Sequence, residues 1–200
     1  VVNYNSLKFG AYDFDDAPTM SDSINTCTTM KQTTAMHESR LEKALRELLL
    51  QRSVAALGTV SSDGGPFVSM VPWAIESESA DLILHVSALA AHTRQMQADP
   101  RVSLLVMAAP DPSTPVQALS RVTMSGLAQA LGPQSASWLK AREAYLHRFP
   151  ETESIMALPD FSFIAIHVLG ARHVAGFGTA RDVSREEMCR VLGHPSISQS

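Results

Sequence analysis

The chain predicts an antiparallel β fold of the small-barrel or Greek-key kind, mainly β with short helices. Three observations predict it. Apolar and polar residues alternate in several short runs, as in Leu82, Leu84 and Val86 against Ile83, His85 and Ser87. Turn chemistry separates these runs, most plainly in Ser62-Asp63-Gly64-Gly65-Pro66. The helical segments between them are too short and irregularly placed to serve as regular parallel crossovers.

Taken in order, residues 1–35 carry Asp13, Asp15 and Asp16 and then a Ser/Thr/Asn/Met-rich run with hardly any apolar period. They read as a flexible leader, because such a segment buries too little to offset its ordering entropy. A start near Met36 and an arm that docks on a partner are the competing readings. Leu41, Ala44, Leu45, Leu48 and Leu49 share one helical face, giving an amphipathic helix that ends near Arg52 and covers the end of a sheet or barrel. Residues 54–61 form a strand, 62–66 a hairpin turn and 67–75 the return strand. Pro72 cannot donate to a ladder, so it marks an edge, a bulge or backbone freed to face a ligand.

A third strand (81–87), a short helix (90–98) and a fourth strand (101–108) follow, then a Pro-rich loop over 109–116 and a fifth strand (121–131) bent at Gly126. Trp138, Ala141, Tyr145 and Phe149 recur at helical spacing behind the caps Ser135 and Ser137, and Pro150 stops that helix. The last apolar strands, 161–168 and 172–177, are broken at Gly170. A short terminal helix follows in which Ser184 and Glu187 have capping-box spacing. The expected organisation is a leader (1–35), one domain (36–182), and a short helix and tail (183–200).

Composition limits the function. The 200 residues are 45% hydrophobic and 18% charged, enough for one globular domain with a real core. A net charge of -4 offers no basic face for nucleic acid, and no apolar run approaches the roughly 20 residues of a membrane-spanning helix. Cys27 and Cys189 make neither a disulfide framework nor a metal cluster, and a cytoplasmic protein is expected. Gly176-Phe177-Gly178 lacks the third glycine and the βαβ context of a dinucleotide fingerprint. No Ser-His-Asp or Cys-His constellation is present to support nucleophilic catalysis.

The richest stretch is 82–106, where strand, polar turn, helix and strand run together. Ser87, His92, Thr93 and Arg94 fall at the strand-to-helix turn, where hydroxyls, cationic donors and exposed helix N–H groups suit a phosphate. An ordinary turn, with Thr93 a cap and Arg94 solvated, accounts for the same residues. His85 and His167, inside apolar strands, read as structural. His173 faces a cofactor edge or is an exposed turn residue. Tyr145, His147 and Arg148 read as the polar side of a helix, or as the border of a substrate mouth.

The pattern resembles the FMN-binding split-barrel superfamily, whose best-known members are the pyridoxamine 5'-phosphate oxidases. The resemblance runs over about 49–180 and rests on LGTVSSDGGPFVSMVPW (57–73), HTRQMQADPRVSLL (92–105) and RVTMSGLAQAL (121–131). A closer likeness is to the haem-utilisation branch, through the S-x-L-A-x-H-T segment at 87–93 and the G-F-G-x-A element at 176–180. The resemblance implies a six- to seven-stranded antiparallel split barrel. It also implies a homodimer with FMN at the subunit interface, Ser69, Val71 and Pro72 beside the flavin, and Ser87, His92, Thr93 and Arg94 around its phosphate. Arg121 matches a position that offers a polar side chain to the cofactor.

The oxidases carry an Arg-Lys pair where this chain has Ala91-His92, and their late Arg and His for pyridoxal phosphate find no equivalent here. The haem-utilising relatives bind haem through an additional C-terminal domain carrying a histidine, whereas His194 here sits in a short polar tail. The implied activity is an FMN-dependent oxidoreductase acting on a small molecule, with the flavin doing the chemistry. A non-catalytic flavin or haem protein for haem utilisation or storage is the alternative, and an empty dimerisation barrel a third reading.

Overall fold

The computed structural model describes residues 38–193. The leader, Cys27, His194 and the tail lie outside the described residues. Helix α1 (Arg40–Gln51) starts where Ser39 and Glu42 form a reciprocal capping box, the Ser39 amide donating to the Glu42 carboxylate at 2.8 Å and the Glu42 amide to Ser39 Oγ at 3.2 Å. Its apolar face buries Leu45, Leu48 and Leu49. Its last turn contains no basic residue, so the final carbonyls need outside donors. Arg148 supplies them, donating to the carbonyls of Leu49, Leu50 and Arg52, with its guanidinium 4.6 Å above the Trp73 ring.

Strands β1 (Val54–Val60) and β2 (Pro66–Pro72) form the expected hairpin, in register from Val54 opposite Pro72 to Val60 opposite Pro66. Gly64 sits at φ +82°, where a side chain is disfavoured, and Asp63 Oδ1 accepts from the Gly65 amide at 3.0 Å and from Ser61 Oγ at 2.6 Å. After Trp73 comes β3 (Ala74–Glu76), then β4 (Asp81–Ser87), helix α2 (Ala91–Ala98), β5 (Arg101–Met107) and β6 (Arg121–Ala130). Helix α3 (Ala136–Arg148) is capped by Ser135, and β7 (Phe161–Val174), β8 (Ala180–Ser184) and helix α4 (Arg185–Leu192) complete the described chain.

Every pairing is antiparallel, in the order β2-β1-β5-β6-β7-β4-β3, with β8 on β7. The two edges, β2 and β3, are consecutive in the chain with Trp73 alone between them. The sheet therefore curls until its edges meet at Trp73, whose amide donates to the Ser53 carbonyl at 3.1 Å. The expected return strand over 67–75 is thus one run divided between two edges, and Pro72 lies on an edge strand, where its missing donor costs nothing. Counting that run once, seven strands make the split barrel.

Leu57, Val71, Leu84, Leu104, Met124, Ile164 and Ile166 fill its interior, closed at one end by α1 and α4. A second core lies outside the sheet, where Ala141 and Tyr145 of α3 pack on Ile83, Phe163 and Ala165.

Three expectations need correction. The strand over 161–177 is not broken at Gly170, since β7 is continuous; the irregularity is a bulge opposite Ser125 and Gly126 that accommodates one extra β7 residue. The charged segment 180–184 is a strand, β8, in which only Val183 is buried, so no apolar alternation announced it. Tyr145 and Arg148 do not lie on a polar face: Tyr145 is buried in the second core and Arg148 caps α1, leaving His147 as the exposed member of the three.

Candidate functional site

Helix α2 crosses one end of the barrel and brings sequence-distant polar groups to the inner rim of β1 and β2. Thr93 and Met96 face inward. One turn apart on the helix, His92 and Gln95 meet the strands: His92 Nδ1 lies 3.1 Å from Ser69 Oγ, and Thr59 Oγ1 donates to Gln95 Oε1 at 2.6 Å. Inward and outward positions alternate along β2, so Ser69 and Val71 point to the interior while Val68, Met70 and Pro72 point outward. Val71 is sealed in the core and can meet a cofactor only through its backbone.

The turn before α2 is held internally. Thr93 is fully buried and its hydroxyl donates to the Ser87 carbonyl at 2.7 Å. Ser87 Oγ donates to Asp160 Oδ2 at 2.6 Å and accepts from the Leu89 amide at 3.1 Å. Arg94 is exposed and donates to the Leu89 carbonyl at 2.8 Å. Arg121 stands elsewhere. It pairs with Met107, whereas the α2 end of the same ladder pairs Arg101 with Leu127. Arg121 thus opens β6 six residues before Leu127, and its side chain donates to the Leu119 carbonyl at 3.1 Å. The structure brings Ser69 to His92 and Ser87 to Thr93, and leaves Arg94 in solvent.

Two partners were not legible in the sequence. Asp160 reaches Ser87 from 73 residues away, with no local pattern to mark it. Gln95 had a faint signal, three residues after His92 on the same helix face.

Electrostatics separate two ligand chemistries. Burial pushes the His92 imidazole below its ordinary value, so the ring is neutral at neutral pH. A phosphate would meet this neutral ring, two hydroxyl protons already donated inside the protein, and the Asp160 carboxylate behind Ser87. That set fits a phosphate poorly unless Arg94 turns inward. The same ring suits a metal: with Nδ1 engaged by Ser69, Nε2 is the nitrogen left to coordinate.

The opposite, outer face of β2 carries an exposed apolar strip. Val68 and Met70 are each 67% exposed and lie opposite the small residues Gly58 and Ala56 of β1. A flat apolar macrocycle, or a second protein surface, finds complementary ground there.

The remaining histidines are placed differently. His85 packs among Phe161, Phe163 and Tyr145 at ring distances of 5.0, 4.7 and 5.6 Å. His167 is buried with Nδ1 3.0 Å from Asp81 Oδ1. His173 faces neither solvent nor an exposed turn: it is fully buried. Among the described residues no group of three or more His, Cys, Asp or Glu is placed to hold a metal ion by itself. No helix among them is long and apolar enough to cross a membrane.

A closed antiparallel sheet whose edges meet at Trp73, with a short helix over one rim, defines a split barrel. The chain belongs to the pyridoxamine 5'-phosphate oxidase family, whose profile matches residues 41–175. It is similar to heme oxygenase HutZ of Vibrio cholerae, with 26% identity over 166 residues, spanning 80% of this chain and 93% of that protein. It is also similar to the chloroplastic heme oxygenase HOZ of Arabidopsis thaliana, with 34% identity over 118 residues, which are 59% of this chain and 34% of that longer protein. Among solved structures, a heme binding protein from Mycobacterium smegmatis superposes with a TM-score of 0.68 at 26% identity, covering 77% of this chain and 62% of that one. The likeness to the haem-utilisation branch expected from the sequence is borne out.

Proposed function

We propose that this chain is a haem-binding split-barrel protein that stores haem or presents it for oxidative breakdown. The observation that carries this reading is the His92 imidazole, its Nδ1 held 3.1 Å from Ser69 Oγ at the inner rim of β2. The haem-related names of relatives aligned over most of the domain support it. His92 would hold the haem iron, and Ser69 would fix its ring. Bound haem supplies iron, and with it oxygen and one-electron chemistry. The protein's share is ligation, orientation and exclusion of water.

Haemin titration of the purified chain tests this. A saturable Soret band is expected, shifted in His92→Ala, with haem affinity about 10-fold or more lower in Ser69→Ala. A Soret band unchanged in both variants removes His92 from the site. No haem binding at all overturns the reading.

The runner-up is the FMN-dependent oxidoreductase acting on a small molecule. The observation favouring it is the family itself, together with the exposed Arg94 at the first turn of α2. In that reading Arg94 swings onto the phosphate, and Arg121 joins the site from a second copy of the chain. Saturable binding of FMN without haemin binding would support the flavin site, and reduction of the bound FMN by a nicotinamide would separate an oxidoreductase from a flavin carrier.

Both readings place the cofactor where two copies of the chain meet, and the β2 strip is the proposed contact. Placing a charge there, as in Val68→Asp, is expected to weaken the homodimer more than about 10-fold, because an unpaired carboxylate would be buried. Sedimentation velocity checks it. A wild-type monomer, or an unaltered Val68→Asp dimer, moves the interface elsewhere.

A further inference from the structure

Strand β8 and helix α4 form a strap over residues 180–192 that closes the barrel floor, and two of its three arginines each meet a buried histidine of β7. Arg181 stands directly opposite His173 in the β7–β8 register. Arg185, on the strap's other flank, places Nη2 3.4 Å from His167 Nδ1 and donates to the Ser79 carbonyl at 3.1 Å. The strap is otherwise held by its pairing with β7, by the Arg190–Glu42 ion pair and by Val183, Met188, Cys189, Val191 and Leu192 in the core, while the Arg181–Glu187 pair ties its strand to its helix.

The two histidines differ in one respect. His167 has an acidic partner, its Nδ1 lying 3.0 Å from Asp81 Oδ1. His173 has none. It is 0% exposed, and neither ring nitrogen has a hydrogen-bond partner among the described residues. The groups facing it are Arg181 from β8, with Nε and Nη2 also buried and unpartnered, and apolar Val122 from β6. Glu187 of α4, the nearby acid, is engaged by Arg181 Nη1. On His173's own strand, Arg172 pairs with Asp182 on the opposite, exposed face.

We propose that the strap is an acid-released latch, docked while His173 is neutral and freed when His173 is protonated. A protonated ring in the docked state would bury two N–H donors without acceptors beside a guanidinium. Lifting the strap hydrates the ring, uncovers the β7 edge at Gly170–Val174 and withdraws the α4 side chains from the barrel floor.

The direction follows from linkage. Burial and Arg181 hold the docked His173 below its ordinary value of 6.5, so the proton binds better to the released state. Docking is at full strength above about pH 6.5 and weakens by up to tenfold per pH unit below it, until the docked ring itself titrates.

Hydrogen exchange of the full chain, corrected for intrinsic rates, tests the latch between pH 7.5 and 5.5. Amides of 180–192 are expected to lose protection by up to tenfold per unit below pH 6.5, those of β1 and β5 to keep it, and His173→Phe to abolish the response. If His173→Phe does not fold, His173→Gln serves, and NMR titration of the wild-type ring gives an independent reading expected below 6.5. Unchanged strap protection in the wild type, the same response in the variant, or a ring titrating at or above 6.5 each overturns the proposal.

Discussion

Asp81→Ala is expected to lower the unfolding free energy by about 3–5 kcal/mol, because it strands the buried Arg185 guanidinium without a counter-charge. Asp81 Oδ1 lies 3.0 Å from His167 Nδ1 and 3.7 Å from Arg185 Nη2, and the Arg185 side chain is 9% exposed. The Nδ1–H that donates to Asp81 cannot also accept from Arg185, so the carboxylate mediates between two groups that do not otherwise suit each other. Nε and Nη1 of Arg185 have no hydrogen-bond partner among the described residues, which leaves its charge the more dependent on Asp81. Urea unfolding reads the loss. The double variant Asp81→Ala with Arg185→Met is expected to be more stable than the sum of the two single losses, since it removes the charge that the first change abandons. Strict additivity would mean that the pair is not coupled.

Gly126→Ala is expected to cost about 3 kcal/mol or more, at the upper end of what one inserted methyl does in a packed core. A Cβ at 126 would lie 2.6 Å from the His167 carbonyl oxygen and 2.9 Å from Ile166 Cγ2. The first of these is backbone, so β7 itself must move, and with it the bulge that keeps β6 and β7 in register. Gly132→Ala is the control: nothing lies within 4 Å of its Cβ, and a change within about 0.5 kcal/mol is expected there. Equal effects at 126 and 132 would show that close approach is not what requires glycine at 126.

Much of this molecule was legible in the chain itself. The face of α1, the hairpin turn expected at 62–66, the short helix α2 between β4 and β5, and the bend at Gly126 all rest on contacts within a few residues, where periodicity and turn chemistry speak directly. Their positions in the structure follow those signals closely. The continuity of β7 was misread because Gly170 looked like a breaker. It is instead a three-strand junction, paired with Ser125 on one side and Ser184 on the other. Strand β8 escaped because an edge strand that buries one residue carries no alternation to detect.

The site was half legible. That Ser87, His92, Thr93 and Arg94 cluster at one turn is a local fact. Which of their donors remain available is not, because the Ser87 hydroxyl is engaged by Asp160 and the His92 ring is placed by Ser69, 73 and 23 residues away in sequence.

The sequence by itself determined the antiparallel β class, the local hairpin and helices, and the family, all encoded in short-range pattern. Only the tertiary structure decided that β2 and β3 meet at Trp73 to close the barrel, that Asp160 engages Ser87, and that His173 is buried beside Arg181. Those facts depend on which distant strands pair and in what register. A one-residue shift in that register would send each side chain to the opposite face of the sheet.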